Sequence, residues 1–332
     1  MDKIIMEHGS GGELTSELIE SMFLCELHNE ALDSLSDASI LTVSNKIGVT
    51  TDSFVIYPHF FPGGDIGKLS VCGTVNDLIM GGCVPKALTL GVILEEDYEI
   101  HKLKNIVQSI KKTCDYCNIN VVCGDTKVVE KGSGSGIYIN TTGIGELIEG
   151  VSFSKDNIKR GDKVILTGNM GDHGIAILCE REQLLDEKLE SDCHPLIKLI
   201  PVIEKYKECI RILRDPTRGG VATTLNEFVE KMDFSITINE KDIPMNPKIS
   251  GVCKLLGIDP LYSANEGKAI LIVDSKDADA IINYLREYEV FKDATIIGEV
   301  TEKYEGKVLV KNEHGGTRVV SKVIDDMLPR IC

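Results

Sequence analysis

Short runs rich in β-branched residues alternate along the chain with longer stretches whose apolar positions recur at helical spacing. In the first half, residues 47–51, 87–94, 119–123 and 137–145 read as strands. Residues 13–23, 68–80 and 100–117 read as helices. A polar link over 152–162 leads to a second half that opens on a predicted strand at 163–167. Helices are predicted near 174–181, 195–208 and 219–231, and strands near 234–238, 269–273 and 295–300. This is a mixed α+β pattern in two parts, residues 1–155 and 156–316, with the boundary in the polar link. What remains, 317–332, has no glycine from Thr317 to Leu328 and sparse helix signals, which predicts an extended, mobile tail. The tail closes on Pro329-Arg330-Ile331-Cys332. A dozen extended residues, at roughly 3.3–3.6 Å each, carry that thiol about 40 Å. Such a thiol can be loaded in one place and processed in another.

Composition narrows the chemistry. A formal charge of −16 excludes a nonspecific grip on nucleic acid or on an anionic membrane. It leaves room for nucleotides, which backbone amides and metal-bound carboxylates can hold. No stretch is apolar enough to span a bilayer, and Met1-Asp2-Lys3-Ile4-Ile5 has no signal-peptide pattern, so a cytoplasmic protein is expected. Most of the 11 cysteines lie in apolar or helical surroundings and read as small buried hydrophobes. Cys114-Asp115-Tyr116-Cys117 is a lone CxxC without a second pair to complete a zinc site.

Several short segments carry chemistry. His8-Gly9-Ser10-Gly11-Gly12 precedes a helical pattern, an arrangement that suits an anion. Gly63 to Lys68 is not a P-loop, because Pro62 and Leu69 stand where Gly and Ser/Thr are required. Asp52, Asp125, Asp172 and the pair Asn76-Asp77 follow β-like or glycine-flanked runs. Read singly, each suits a turn or cap as well. Together they predict carboxylates set rigidly for Mg²⁺ on a polyphosphate. Arg214 to Gly220 is dense in anion-binding groups ahead of a helix, which suits a charged turn and cap as well, and Glu266, just before a strand, suits either a base or a solvated turn.

Taken together these segments resemble the HypE family, the carbamoyl dehydratases of nickel–iron hydrogenase maturation. That family lies in the superfamily of aminoimidazole ribonucleotide synthetase and selenophosphate synthetase. The resemblance runs the length of the chain: HGSGG at 8–12, TDS at 51–53, FFPGGDIGKLSVCGTVND at 60–77, ILEE at 93–96 and GDTKVV at 124–129. It continues with GDHG at 171–174, REQL at 181–184, DPTRGGV at 215–221, GVCKLLG at 251–257, ANEGK at 264–268, IGEV at 297–300 and the final PRIC. PRIC together with GDHG and ANEGK selects this family among its relatives.

The resemblance implies a two-domain, PurM-like (AIR synthetase-like) architecture, ATP and Mg²⁺ as cofactors, and a homodimer formed through first-half strands. It implies that HypF loads a carbamoyl group on Cys332, that ATP drives its dehydration to a thiocyanate, and that the cyano group passes to iron on the HypC–HypD complex. By the same resemblance, His8, Gly9, Ser10, Gly11, Gly12, Lys68 and Lys127 lie against nucleotide and Asn76 makes a polar contact with it. Asp52, Asp77 and Asp125 ligate Mg²⁺, and Asp172 and His173 sit near the transferred phosphoryl group. Glu266 is the base, and Arg218 neutralises developing charge. Three alternatives stay open: a related synthetase acting on a free small molecule, for which Cys332 is dispensable; a silent thiol carrier, which needs no metal site; and a redox protein using Cys114 and Cys117.

Overall fold

The computed structural model describes residues 3–9, 13–29, 32, 42–43 and 46–322. Ser10, Gly11, Gly12 and Cys332 lie outside the described residues. After α1 (Glu13–Leu18), a π-helical run (Ile19–Leu24) and the turn α2 (Cys25–Leu27), the chain forms β1 (Ile47–Phe54) and the short hairpin β2 (Phe60–Phe61) and β3 (Gly64–Asp65). Then follow α3 (Ile66–Met80), β4 (Cys83–Glu95), α4 (Ile100–Cys117), β5 (Asn120–Val129) and β6 (Ile137–Leu147). The four long strands lie in the order β1-β6-β4-β5, antiparallel except for β4 and β5.

Helix α3 packs on β1, β6 and β4, with α4 beside it. It is apolar or small-sided all round, as a helix enclosed by protein must be. Lys68 and Asp77 are its only residues that escape full burial. Asp65 caps its N-terminus, accepting from the amides of Gly67 (2.7 Å) and Lys68 (3.1 Å).

The second half comprises β7 (Lys163–Leu166), α5 (Asp172–Glu182), α6 (Leu199–Tyr206), β8 (Ile210–Arg214), α7 (Gly220–Val229) and β9 (Ser235–Asn239). It continues with α8 (Pro247–Leu256), β10 (Ile270–Val273), α9 (Ala278–Leu285), β11 (Thr295–Thr301), β12 (Val308–Lys311) and β13 (Thr317–Val320). The seven strands run β13-β12-β9-β11-β7-β10-β8, and only β9 and β12 are parallel. One apolar core joins the halves: Ile66 and Leu69 of α3 belong to the same cluster as Leu199 and Val202 of α6 and Leu271 of β10.

Two expectations are corrected here. The tail predicted from residue 317 begins as an ordered strand, because Thr317–Val320 pairs with Lys311–Val308 and Val320 is buried. The β-branched run Thr-Arg-Val-Val explains it. The rest of the expected tail, residues 323–332, lies outside the described residues. The acids expected just after strands, Asp52 and Asp125, lie within β1 and β5, whereas Asn76 and Asp77 lie on α3, inside the helix predicted over 68–80. Cys114 and Cys117 are buried, and burial pushes both thiols up to about 12, so the CxxC is inert packing. Among the described residues, no helix is long and apolar enough to cross a membrane.

Candidate active site

Alternation along β1 turns Gly48, Thr50, Asp52 and Phe54 toward α3. The Thr50 hydroxyl donates to Asp77 Oδ2 at 2.8 Å. One helical turn before Asp77, Gly73 leaves room for the β1 side chains. A Cβ there would meet the Phe54 ring at 2.9 Å and stand 3.9 Å from Asp52 Oδ2. Asp52 and Asp77 thereby face one cavity of about 140 Å³, closed from the second half by Asp215, Thr217, Arg218 and Glu266. That volume suits a few reacting atoms, being smaller than a site that encloses a whole cofactor.

Four carboxyl groups so close, with Arg218 among them, repel one another. Burial, then the Asp52 charge, raises Asp77, while Thr50, Arg214 and Arg218 pull it back. Burial, then Asp77, pushes Asp215 up to about 7. Burial pushes Glu266 well above the carboxylate range, and Cys193, Asp215, Asp192 and Asp52 add to it. Such a set suits a cation that would restore ionisation.

A test follows from Asp215. Its folded value lies above the unfolded 3.8, so the stability it confers is full below 3.8 and is lost as pH rises through about 7. Comparing melts at about pH 5 and about pH 8, without divalent cations, should show wild type losing on the order of 3 kcal/mol more than Asp215→Asn. Equal losses in the two proteins would remove Asp215 from this cluster.

The loop carrying Glu266 is bound on every side. Its amide donates to Asp192 Oδ1 (3.0 Å), and its carbonyl accepts from the amide of His194 (3.2 Å). The Asn265 amide donates to the Pro216 carbonyl at 3.0 Å, joining this loop to the one that carries Asp215 and Arg218. Asn76, expected to contact nucleotide, acts in this structure as a clamp between the halves. Its Nδ2 donates to the carbonyls of His194 (3.2 Å) and Glu266 (3.4 Å), and its Oδ1 accepts from the Leu196 amide (2.7 Å).

The remaining expected residues fall in other places. Asp172 opens α5, and burial, with Asp192 next, pushes it up to about 7. His173 is fully buried, its Nδ1 2.7 Å from Ser191 Oγ and its ring edge-on to Phe61. Burial draws it down to about 4, so it is neutral at physiological pH. Neither lines the acidic cavity, although Gly171 and Gly174 hydrogen-bond the Asn265 side chain and the Ala264 carbonyl.

Lys68 donates to the Gly63 carbonyl (2.7 Å) at the end of α3 opposite Asp77, about 14 Å along the axis. Asp125 is separated from Asp52 by the register Asp52–Thr141–Leu90–Gly124, three strand spacings or about 14 Å. It pairs with Lys127 at 3.0 Å and lines a different cavity, against Thr15, Ile19 and Phe23. His8, buried, exchanges local contacts through Nδ1 with the backbone of Ile5, in a turn that packs on β5 with Gly9 at its end. Within one chain the three expected metal ligands are therefore split: Asp52 and Asp77 share a cavity, and Asp125 does not. Two further acids belong to this layout: Asp215, legible only as part of a charged turn, and Asp192, which no motif marks.

Comparison with known proteins fits this layout. The N-terminal domain of AIR synthase related proteins matches residues 35–147 and the C-terminal domain matches 159–311. The chain is 41% identical to carbamoyl dehydratase HypE of Cupriavidus necator, over 99% of this chain and 95% of that one. It is 39% identical to the Escherichia coli enzyme of the same name, over 100% of both. The crystal structure of HypE in complex with ATP superposes with a TM-score of 0.93 at 39% identity, covering 99% of each chain. HypE in the HypE–HypF complex gives 0.81 at 43% identity, over 92% of this chain and 99% of that one. Thiamine monophosphate kinase of Aquifex aeolicus, at 20% identity and a TM-score of 0.61, shares the fold.

Fold and site together define an AIR synthase related protein of two α+β halves. Within that class the chain belongs to the HypE family of carbamoyl dehydratases.

Proposed function

We propose that the chain uses ATP to remove water from a carbamoyl group carried on its own Cys332, leaving a thiocyanate. The observation that carries the reading is the cavity where Asp52, Asp77, Asp215, Arg218 and Glu266 converge between the two halves. An amide oxygen is a poor leaving group. Its attack on the terminal phosphorus of ATP releases ADP and turns it into a phosphate ester, with one nitrogen proton lost. Removal of the second nitrogen proton then expels phosphate and closes the C≡N bond. Glu266 is the group we assign to take that proton, and Arg218 faces the charge that develops on phosphate.

The hard oxygen donors Asp52 and Asp77 fit Mg²⁺, which would neutralise the phosphates of ATP. Among the described residues no three metal-binding side chains converge on one point. Phosphate oxygens and water would complete the shell, as Mg²⁺ prefers. Asp172 and His173 would lie toward the phosphoryl group through the Asn265 loop, and Lys68, Lys127 and the His8–Gly12 segment toward the nucleotide. HypF is the expected carbamoyl donor and the HypC–HypD complex, with its iron, the expected cyanide acceptor. The cytoplasm, which keeps thiols reduced, is the expected compartment.

Mass spectrometry of the C-terminal peptide tests the scheme. With HypF, carbamoyl phosphate and ATP the peptide should gain a carbamoyl group and then lose one water. Preloaded protein given a non-hydrolysable ATP analogue should stop at the carbamoyl stage, and water loss under that condition would overturn the phosphorylation step. Asp77→Asn should cut ATP consumption strongly without lowering the melting temperature, since burial, and then the Asp52 charge, already disfavour its ionised carboxylate.

We also propose a homodimer. β1 is a sheet edge, and the face turned from α3 exposes Ile47, Val49 and Ile93 at 49, 62 and 42%. Light scattering should give twice the chain mass, and Val49→Lys should shift it toward the monomer. A monomer at micromolar concentration in the parent protein would contradict this.

A further inference from the structure

Three loops meet behind Glu266, and their contacts converge on one carboxylate outside the cavity. Asp192 lies between α5 and α6 with its side chain 2% exposed. One oxygen, Oδ1, accepts the Glu266 amide at 3.0 Å. The other, Oδ2, accepts Nδ2 of Asn265 at 2.9 Å and stands 3.9 Å from Lys268 Nζ. Asn265 cannot turn to serve another partner, because its Oδ1 accepts from the Gly171 amide (2.9 Å) and its Nδ2 also reaches the Asn169 carbonyl (3.2 Å). The backbone comes as close as the side chains do. A Cβ on Gly267 would fall 1.9 Å from the Asp192 carbonyl oxygen. Residues 264–268 are therefore moulded on residue 192, and a buried carboxylate with both oxygens engaged holds two consecutive residues of that loop.

We infer that Asp192 is the positioning residue of the Glu266 loop, fixing the Glu266 main chain and Asn265 side chain so that the Glu266 carboxyl faces the reacting group. This rests on the assignment of Glu266 as the base. The role is geometric and needs the carboxylate's two acceptors. In Asp192→Asn one acceptor becomes an NH₂ donor. Turned toward the locked Nδ2 of Asn265 it opposes a donor, and turned the other way it opposes the Glu266 amide. One of the two bonds is lost in either rotamer.

A double-mutant cycle on full-length, HypF-loaded protein tests this, with ATP-dependent water loss from the C-terminal peptide as the rate. Asp192→Asn should lower kcat by about 10²-fold, the cost of a misplacement of roughly 1 Å, while the KM for ATP and the dissociation constant for a non-hydrolysable ATP analogue stay as in the parent. In the Glu266→Gln background the same change should cost less than about threefold, because the group it positions is already gone. An equal loss in both backgrounds, or a loss confined to KM, would make Asp192 a merely structural residue and overturn the inference. Asp192→Glu, which keeps charge and acceptors but is one methylene longer, should fold and show an intermediate kcat. Parent-like rates in both Asp192 variants would also overturn it. If Glu266→Gln alone runs at the parent rate, the assignment of the base fails first, and the cycle shows that separately.

Discussion

Cys332→Ser should yield no thiocyanate at all, while binding ATP as the parent does. In the proposed scheme the atom that carries the substrate lies in residues 323–332, whereas the carboxylates and Arg218 lie in a cavity assembled from 51–77, 215–218 and 266. Serine is nearly the same size, so packing is no reason for a difference. A serine carbamate that formed would hold its carbonyl through a poorer, oxygen-bonded neighbour and could not give the thiocyanate. Calorimetric titration with ATP, beside mass spectrometry of the C-terminal peptide, measures both halves of the expectation. Loss of ATP binding in Cys332→Ser would mean that the tail is part of the nucleotide site, and continued ATP-dependent dehydration of a free carbamoyl compound would favour a small-molecule synthetase.

Glu266→Gln should slow the water loss by about 10²–10⁴-fold, the usual contribution of a general base, with nucleotide binding kept. Glutamine preserves the volume and leaves untouched the main-chain bonds to Asp192, Asn76 and His194 that fix the loop. The parent should also gain rate as pH rises on the acid side. Burial and neighbouring acids hold the Glu266 carboxyl well above the carboxylate range, and only its ionised form accepts a proton. That acid limb should vanish in Glu266→Gln. A variant that dehydrates its tail at the parent rate would move the base elsewhere, with Asp215 the next candidate because it lines the same cavity while His173 does not.

Much of the fold is written locally. The predicted helix over 100–117 coincides with α4, whose apolar residues keep a clean 3.6-residue period and whose end is marked by Asn118 in the left-handed region. Signals for α8 were equally plain, with Asn246 as cap, Pro247 in the first turn and Gly257 after the end, yet they lay in a segment read only as a motif. β8 and β12, of five and four residues, are too short for periodicity to separate strand from helix. The acids of the site were visible as residue types, but their grouping was not. Whether Asp125 joins Asp52 depends on strand order, and β6 and β4 intervene. Asp192 gains its meaning from a partner 74 residues away, a distance at which no spacing rule operates.

Asn76 and Asp77 are consecutive on α3, so their side chains diverge by about 100°. One is stitched to backbone at 194, 196 and 266, and the other presents charge to the cavity. The halves of the molecule consequently cannot gape like a clam shell without tearing the stitch beside the acids themselves. Entry and exit then fall to the cargo. On the proposal that Cys332 carries the substrate, delivery falls to the chain that bears it, so turnover should answer to the length of residues 323–332 more than to any breathing of the body.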